Sequence, residues 1–169
     1  MKKNFFSIAI LTILALGLSV SAMAAKADFS GTWKLDAAKS TGLPPGMEQT
    51  MTVKQTGDEI KFETVVKGGP QGEQIVADAY TLDGKEHDFK PANAPESAKG
   101  KRTAKWNQDT SGIDVAEKLE IIGAPDGSTV TIEATRKWTL SADGKTLTIE
   151  IKSKSPQGEQ NIKRMFVKQ

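Results

Sequence analysis

The chain has 169 residues, with 23 lysines and arginines, 21 aspartates and glutamates, and no cysteine. This length suffices for one domain with a hydrophobic core, and the lack of cysteine excludes the disulfide framework of many small exported domains. The nearly balanced charge gives no reason to expect nucleic acid or an anionic membrane as a partner.

Residues 1–24 have the three parts of a secretory signal peptide. Lys2 and Lys3 precede an apolar run from Phe5 to Val20, and Ala22 and Ala24 supply the small residues of a cleavage site. The run is short for a membrane span, although an uncleaved anchor is the alternative. We predict cleavage after Ala24, which leaves one domain at 25–169. It is formally neutral, because the removed segment carries two lysines and no acid.

No cysteine follows the predicted cleavage site, so a lipid anchor on a new N-terminal cysteine is excluded. The mature protein is therefore expected to be periplasmic or secreted, with no membrane span.

The remaining chain alternates apolar and polar residues with a period of two, as in strands that have one buried face. The clearest examples are Thr129 to Leu140 and Thr146 to Lys152. No segment shows a convincing helical stripe. Nine strands are predicted, at 28–36, 47–56, 59–68, 72–82, 100–108, 112–122, 128–140, 145–154 and 158–168.

Turn sequences separate these strands at hairpin spacing. Asp83-Gly84 and Asp143-Gly144 are of the Asp-Gly type, Pro125-Asp126-Gly127 and Pro156-Gln157-Gly158 are of the Pro-x-Gly type, and 90–98 is a longer loop. Short connections between successive strands favour an all-β, antiparallel up-and-down meander that closes into a single barrel of eight to ten strands. A β-sandwich is the alternative.

The two ends of the mature chain resemble the calycin superfamily, which comprises lipocalins, fatty-acid-binding proteins and their relatives. The first strand carries Gly31-Thr32-Trp33, and the last carries Arg164-Met165-Phe166. The resemblance implies that Gly31 and Trp33 close one end of a lipocalin-like barrel, with a basic residue of the last strand, Arg164, packed over the indole.

The chain departs from fatty-acid-binding proteins in two places. Phe166 stands where their last strand has a tyrosine that helps to hold a ligand carboxylate, so the hydroxyl partner is missing. Residues 36–46 are too short and too rich in proline and glycine for their helical lid. An exported lipocalin-like member fits better than the intracellular type.

If Trp33 points inward, the alternation assigns an inner face to every strand, which fills the barrel or surrounds a ligand cavity. The predicted ligand-binding residues on this face are Met51, Phe62, Tyr80, Trp106, Arg136, Trp138, Arg164 and Phe166.

Four charged residues share the inner face, and buried charges need partners. In one arrangement, Arg136 and Arg164 form a cationic floor for an anionic head group. In the other, Asp78 or Glu117 pairs with one arginine while the other arginine stacks on Trp33. We favour the second arrangement.

The residues offer no constellation for catalysis, and no cofactor is predicted. His87 is the only histidine, so the usual zinc ligand sets are excluded, and we predict that it is a solvated turn residue. Phosphate-loop and dinucleotide motifs are absent.

Three functions follow. The preferred one is an exported carrier or scavenger that holds a hydrophobic or amphiphilic small molecule, such as a lipid, inside the barrel. The second is an envelope or extracellular interaction module with a filled barrel. The third, which we disfavour, is an enzyme that uses Tyr80 with Asp78.

Overall fold

Ten antiparallel strands make up the domain in the computed structural model, which describes residues 25–169 except 70–71, 93 and 124–126. The predicted signal peptide lies outside the described residues. Among them, no helix is long and apolar enough to cross a membrane. The strands are β1 (Gly31–Leu35), β2 (Glu48–Thr56), β3 (Glu59–Gly69), β4 (Gly72–Thr81), β5 (Asp83–Phe89), β6 (Ala98–Trp106), β7 (Gly112–Ile122), β8 (Thr129–Leu140), β9 (Thr146–Ser155) and β10 (Gly158–Lys168), with a short 3₁₀ turn at Ala37–Lys39.

The strands form one curled sheet in the order β4-β3-β2-β1-β10-β9-β8-β7-β6-β5. Successive strands pair with each other except β4 and β5, and the first strand also pairs with the last, with Leu35 opposite Phe166. This confirms the all-β meander and the barrel. The pairing ends at β4 and β5, so the curled wall has a seam between these two strands.

The two ends of the barrel are packed differently. At the end where β1 begins, Phe29, Trp33, Ile60, Ile113 and Leu147 are fully buried and fill the interior. Towards the other end, inward residues of β7, β8 and β10 are only partly buried, among them Leu119, Ile132 and Ile162. The barrel therefore has a filled end and a mouth.

Trp33 closes the filled end, but its cationic neighbour is not the predicted one. Its Nε1 donates to the Phe29 carbonyl at 2.8 Å, and Lys168 Nζ lies 5.2 Å from the ring centroid. The prediction that Arg164 packs over Trp33 is wrong. Lys168 pairs opposite Trp33, and Arg164 lies four residues nearer the mouth. Gly31 leaves room for the lysine, since a Cβ there would lie 2.9 Å from Lys168 Cε.

One strand was missed from the sequence. β5 was interpreted as a turn followed by polar residues, since Asp83-Gly84 is typical of a hairpin and Lys85-Glu86-His87-Asp88 has no apolar alternation. As an edge strand of which six residues are exposed, β5 needs no such alternation. His87 therefore lies on a strand and not in a turn.

The boundaries of two strands also shift. β1 begins at Gly31 instead of residue 28, and β6 covers 98–106 instead of 100–108. The remaining predicted boundaries agree to within two residues.

Because the two ends of the barrel are packed to different extents, truncation of a leucine to alanine should destabilise the protein more at the filled end than at the mouth. Leu147→Ala, in the filled end, should lower the free energy of unfolding by about 2–5 kcal/mol, because the cavity it leaves cannot collapse. Leu119→Ala, in the partly exposed mouth, should cost about half as much or less. Urea denaturation of both variants measures the difference, and equal losses would contradict a filled end and an open mouth.

Candidate functional site: a cavity inside the barrel

A cavity of about 250 Å³ lies inside the barrel, between the filled end and the mouth. Its wall comes from β2, β3, β4, β8, β9 and β10. The structure brings seven of the eight predicted ligand-binding residues to it, namely Met51, Phe62, Tyr80, Arg136, Trp138, Arg164 and Phe166, and adds Gln49, Thr64, Ile149 and Ile151. We call this space the inner cavity.

Trp106, the eighth predicted residue, does not line the inner cavity. Its ring stacks on Phe29 at a centroid distance of 6.2 Å, and its Nε1 donates to Asp58 Oδ1 at 2.9 Å. Trp106 ends β6 at the filled end of the barrel, so inward alternation alone could not place it in the cavity.

Aromatic rings form the side of the cavity that faces the filled end. The ring centroid of Phe62 lies 5.1 Å from that of Tyr80 and 5.2 Å from that of Trp138. The centroids of Tyr80 and Trp138 are 5.7 Å apart, and all three distances are typical of favourable aromatic contacts. Burial raises the pKa of the Tyr80 phenol well above its ordinary value, so the hydroxyl stays neutral. Trp138 Nε1 is buried and has no acceptor in the described part of the chain.

An arginine that the sequence analysis missed makes four side-chain hydrogen bonds inside the barrel. Arg102, on β6, is 6% exposed. It donates to both carboxylate oxygens of Asp78 at 2.8 and 2.6 Å, to the Ala79 carbonyl at 3.0 Å, and to Glu117 Oε1 at 2.8 Å. Asp78 and Ala79 belong to β4, so Arg102 bridges the seam between β4 and the β5–β6 hairpin.

Aromatic rings also surround the guanidinium of Arg102, which lies 4.1 Å from the Phe89 centroid and 4.8 Å from that of Tyr80. Burial alone would lower the pKa of Arg102, but the hydrogen bond to Asp78 and the charges of Glu117 and Asp78 raise it on balance. Arg102 has the same inward alternation as Trp106, and this signal could have identified it.

The two predicted arrangements of inner charges are each realised in part. Arg136 Nε donates to Glu117 Oε2 at 3.1 Å, which is the predicted pairing of one arginine with a carboxylate. Arg164 does not stack on Trp33. Instead, both arginines line the inner cavity, as the cationic-floor arrangement expected.

Arg164 differs from the other two arginines in its partners. Its Nη1 donates to the Thr41 carbonyl and its Nη2 to the Gly42 carbonyl at 3.4 Å. No ion pair joins it to a carboxylate among the described residues, whereas Arg102 and Arg136 share Asp78 and Glu117. Burial lowers the pKa of the Arg164 guanidinium from its ordinary value.

A charge count of the cavity follows from these contacts. Arg102 and Arg136 are balanced by Asp78 and Glu117, so the four-residue network is neutral. Arg164, which is partly exposed, adds one positive charge that contacts carbonyl groups and has no carboxylate partner among the described residues. An anionic group in the inner cavity would therefore find one uncompensated cation.

A larger concavity, of about 770 Å³, lies on the outer face of β6–β10. Its residues are mostly outward-facing, and lysines alternate with glutamates in exposed pairs such as Lys118–Glu120 at 2.8 Å. A surface on which positive and negative charges alternate does not indicate one class of ligand, so we place the candidate site in the inner cavity.

The remaining predicted groups stay apart from the cavity. His87 Nε2 contacts the Asp83 carboxylate at 2.9 Å in an exposed position on β5, where His87 pairs opposite Arg102. In the described residues, no cluster of three or more histidine, aspartate or glutamate side chains could hold a metal ion.

Comparisons with known proteins bear on the fold. No protein-family model and no curated protein matches the sequence. Zebrafish ileal bile acid-binding protein, solved with cholic acid, superposes with a TM-score of 0.52 at 17% identity, over 83% of this chain and 98% of that one. Lipid binding protein 8 of Caenorhabditis elegans gives 0.52 at 15% identity, over 83% and 95%. At these identities the likeness shows the fold alone, and it confirms the calycin-like barrel fold that the sequence predicted.

Loss of Arg102, the central residue of the network with Asp78 and Glu117, should strongly destabilise the protein. Arg102→Met should lower the free energy of unfolding by about 3–5 kcal/mol, because it leaves Asp78 and Glu117 without their main partner. Lys101→Met is the matched control on the neighbouring residue, and it should leave the free energy of unfolding nearly unchanged because its ion pair with Asp88 is fully exposed. Chemical denaturation monitored by circular dichroism compares them, and similar small losses would show that the seam does not depend on Arg102.

Proposed function

We propose that this protein binds a compact amphiphile with an acidic head group in the inner cavity and acts as a non-enzymatic carrier or scavenger. The observation that carries the proposal is Arg164, a cavity-lining cation without a carboxylate partner among the described residues. The structural neighbours are named for binding bile acid and lipid, which fits a hydrophobic ligand in such a barrel.

The geometry suggests how the ligand would lie. Polar donors at the cavity are the two arginines, Gln49, Thr64, the Tyr80 hydroxyl and Trp138 Nε1, while the half-buried apolar residues continue towards the mouth. A head group near the arginines would leave the apolar part of the ligand along β7, β8 and β10. At about 250 Å³ the cavity is slightly below the usual range for ligand pockets, which favours a compact ligand.

The rival function, an interaction module with a filled barrel, expects side chains to occupy the whole interior. The filled end fits that expectation, but the cavity beside Arg164 does not. We therefore prefer the binding protein.

A matched pair of ligands tests the acidic head group. Decanoate should bind about ten-fold or more tightly than decanol, because only the carboxylate adds an attraction between opposite charges to the hydrogen bonds from the guanidinium. Arg164→Leu should remove this preference and Arg164→Lys should keep part of it, whereas Lys163→Leu, on the outward-facing neighbour, should leave it intact. Isothermal titration calorimetry measures all four proteins. Equal affinity of the unaltered protein for the two ligands would refute the proposal.

We also propose that the protein works in the periplasm or outside the cell, after loss of residues 1–24. The basic start, the apolar run and the small residues at Ala22 and Ala24 support this. Expression of the full chain in a Gram-negative bacterium, followed by fractionation and intact-mass measurement, should give a periplasmic or secreted product that begins at Ala25. A cytoplasmic product that retains Met1 or Lys2 would contradict it.

A further inference from the structure

The three tryptophans of the barrel differ in the partner of the indole N–H. Trp33 Nε1 donates to the Phe29 carbonyl at 2.8 Å, and Trp106 Nε1 donates to Asp58 Oδ1 at 2.9 Å. Trp138 is 1% exposed, and its Nε1 has no acceptor in the described part of the chain. Two of the three indoles therefore find their hydrogen-bond acceptor within the fold, and the third does not.

The unpaired N–H of Trp138 costs free energy that a phenylalanine at the same position would not cost. A buried donor has lost its hydrogen bonds with water and has gained no protein partner in exchange. The surroundings of the indole are aromatic, with the Phe29, Phe62 and Tyr80 centroids at 5.9, 5.2 and 5.7 Å from its own. A phenylalanine ring makes contacts of this kind without a polar atom. Because Trp138 lines the inner cavity, an occupant of that space is able to supply the acceptor that the fold lacks.

The strand register places Trp138 in one row with Arg164. Trp138 pairs opposite Ile149 on β9, and Ile149 pairs opposite Arg164 on β10. Residues directly opposite each other in an antiparallel sheet share a face, and all three line the inner cavity. Trp138 and Arg164 are thus two inter-strand spacings apart, which is roughly 10 Å between their backbones.

The two donors of this row serve different oxygens of a ligand. The Arg164 guanidinium donates to the carbonyls of Thr41 and Gly42, which follow β1 and lie on the side of β10 away from β8. The guanidinium is therefore drawn away from the indole. Because both oxygens of a carboxylate share one carbon atom, a head group at Arg164 leaves the Trp138 N–H for an oxygen further along the ligand.

We propose that Trp138 Nε1 is the specificity-determining donor of the inner cavity, and that the ligand is an acid with a second, neutral oxygen acceptor on its carbon chain. A keto or hydroxyl oxygen has the lone pair that the N–H requires, whereas a plain hydrocarbon chain has none. A site with a buried donor discriminates against analogues that leave this donor unpaired. The role of Trp138 rests on the function proposed above, since the acid lies in the inner cavity beside Arg164.

Ligands that differ by one oxygen test this role. The probes are decanoate and its keto derivatives, the oxodecanoates, with the carbonyl at each carbon from the fourth to the ninth, titrated by isothermal calorimetry. At least one isomer should bind about ten-fold or more tightly than decanoate, because its carbonyl accepts from Trp138 Nε1. Trp138→Phe should bring this isomer and decanoate to within about two-fold of each other. Trp106→Phe is the matched control outside the cavity and should keep the preference.

The indole N–H signals of the unaltered protein give a second measurement, which does not depend on the folding of a variant at Trp138. In a proton–nitrogen correlation spectrum, the Trp138 Nε1 proton should move downfield when the preferred oxodecanoate binds, because a new hydrogen bond deshields it. Decanoate should move it less. The Trp33 N–H already donates to the Phe29 carbonyl and should stay in place with both ligands.

These measurements distinguish the role of Trp138 from the function itself. Suppose that decanoate binds more tightly than decanol, but no oxodecanoate exceeds decanoate, or the preferred isomer leaves the Trp138 signal unmoved. The donor role is then overturned, and the proposed function stands. An advantage of the preferred isomer that persists in a folded Trp138→Phe variant has the same meaning. Equal binding of decanoate and decanol would instead refute the function, and the role of Trp138 with it.

Discussion

The barrel depends on one buried interaction, the bridge from Arg102 to Asp78 and Glu117 across the seam between β4 and β5. A ten-stranded curled sheet that does not close by backbone pairing leaves two edges, and each edge exposes unpaired peptide groups. Here one side chain from β6 binds a carboxylate and a backbone carbonyl of β4, so the two edges are held together without a strand between them. Glu117 then connects Arg102 to Arg136 and extends the network to the inner cavity.

This constraint organises the rest of the interior. Because Asp78 and Glu117 neutralise Arg102 and Arg136, the only cavity cation without a carboxylate partner in the described residues is Arg164. Arg164 lies opposite Ile149, near the end of β1. The strong contacts of the molecule thus close the seam, and the weaker ones of Arg164 lie next to the cavity.

The alternation of apolar residues was sufficient to predict the fold class, nine of the strands and seven cavity residues. The alternation failed where the local sequence pattern carries no information about which strands and side chains contact each other in the folded chain. β5 has no apolar alternation because it is an exposed edge, and Lys168, not Arg164, covers Trp33 because the register of β10 against β1 is a tertiary property. Trp106 has the inward alternation but lies at the filled end. The pairing of Arg102 with Asp78 joins residues 24 positions apart and depends on how the sheet curls.

The central claim is that the inner cavity holds a small acidic amphiphile in the working protein. Native mass spectrometry of the protein purified from its own host, without detergent, tests it most directly. The account predicts a complex with one bound acid of modest mass, lost on mild collisional activation and absent from an Arg164→Leu variant prepared in the same way. A protein that is free of any bound molecule, or one that keeps the same neutral molecule with and without Arg164, would contradict it.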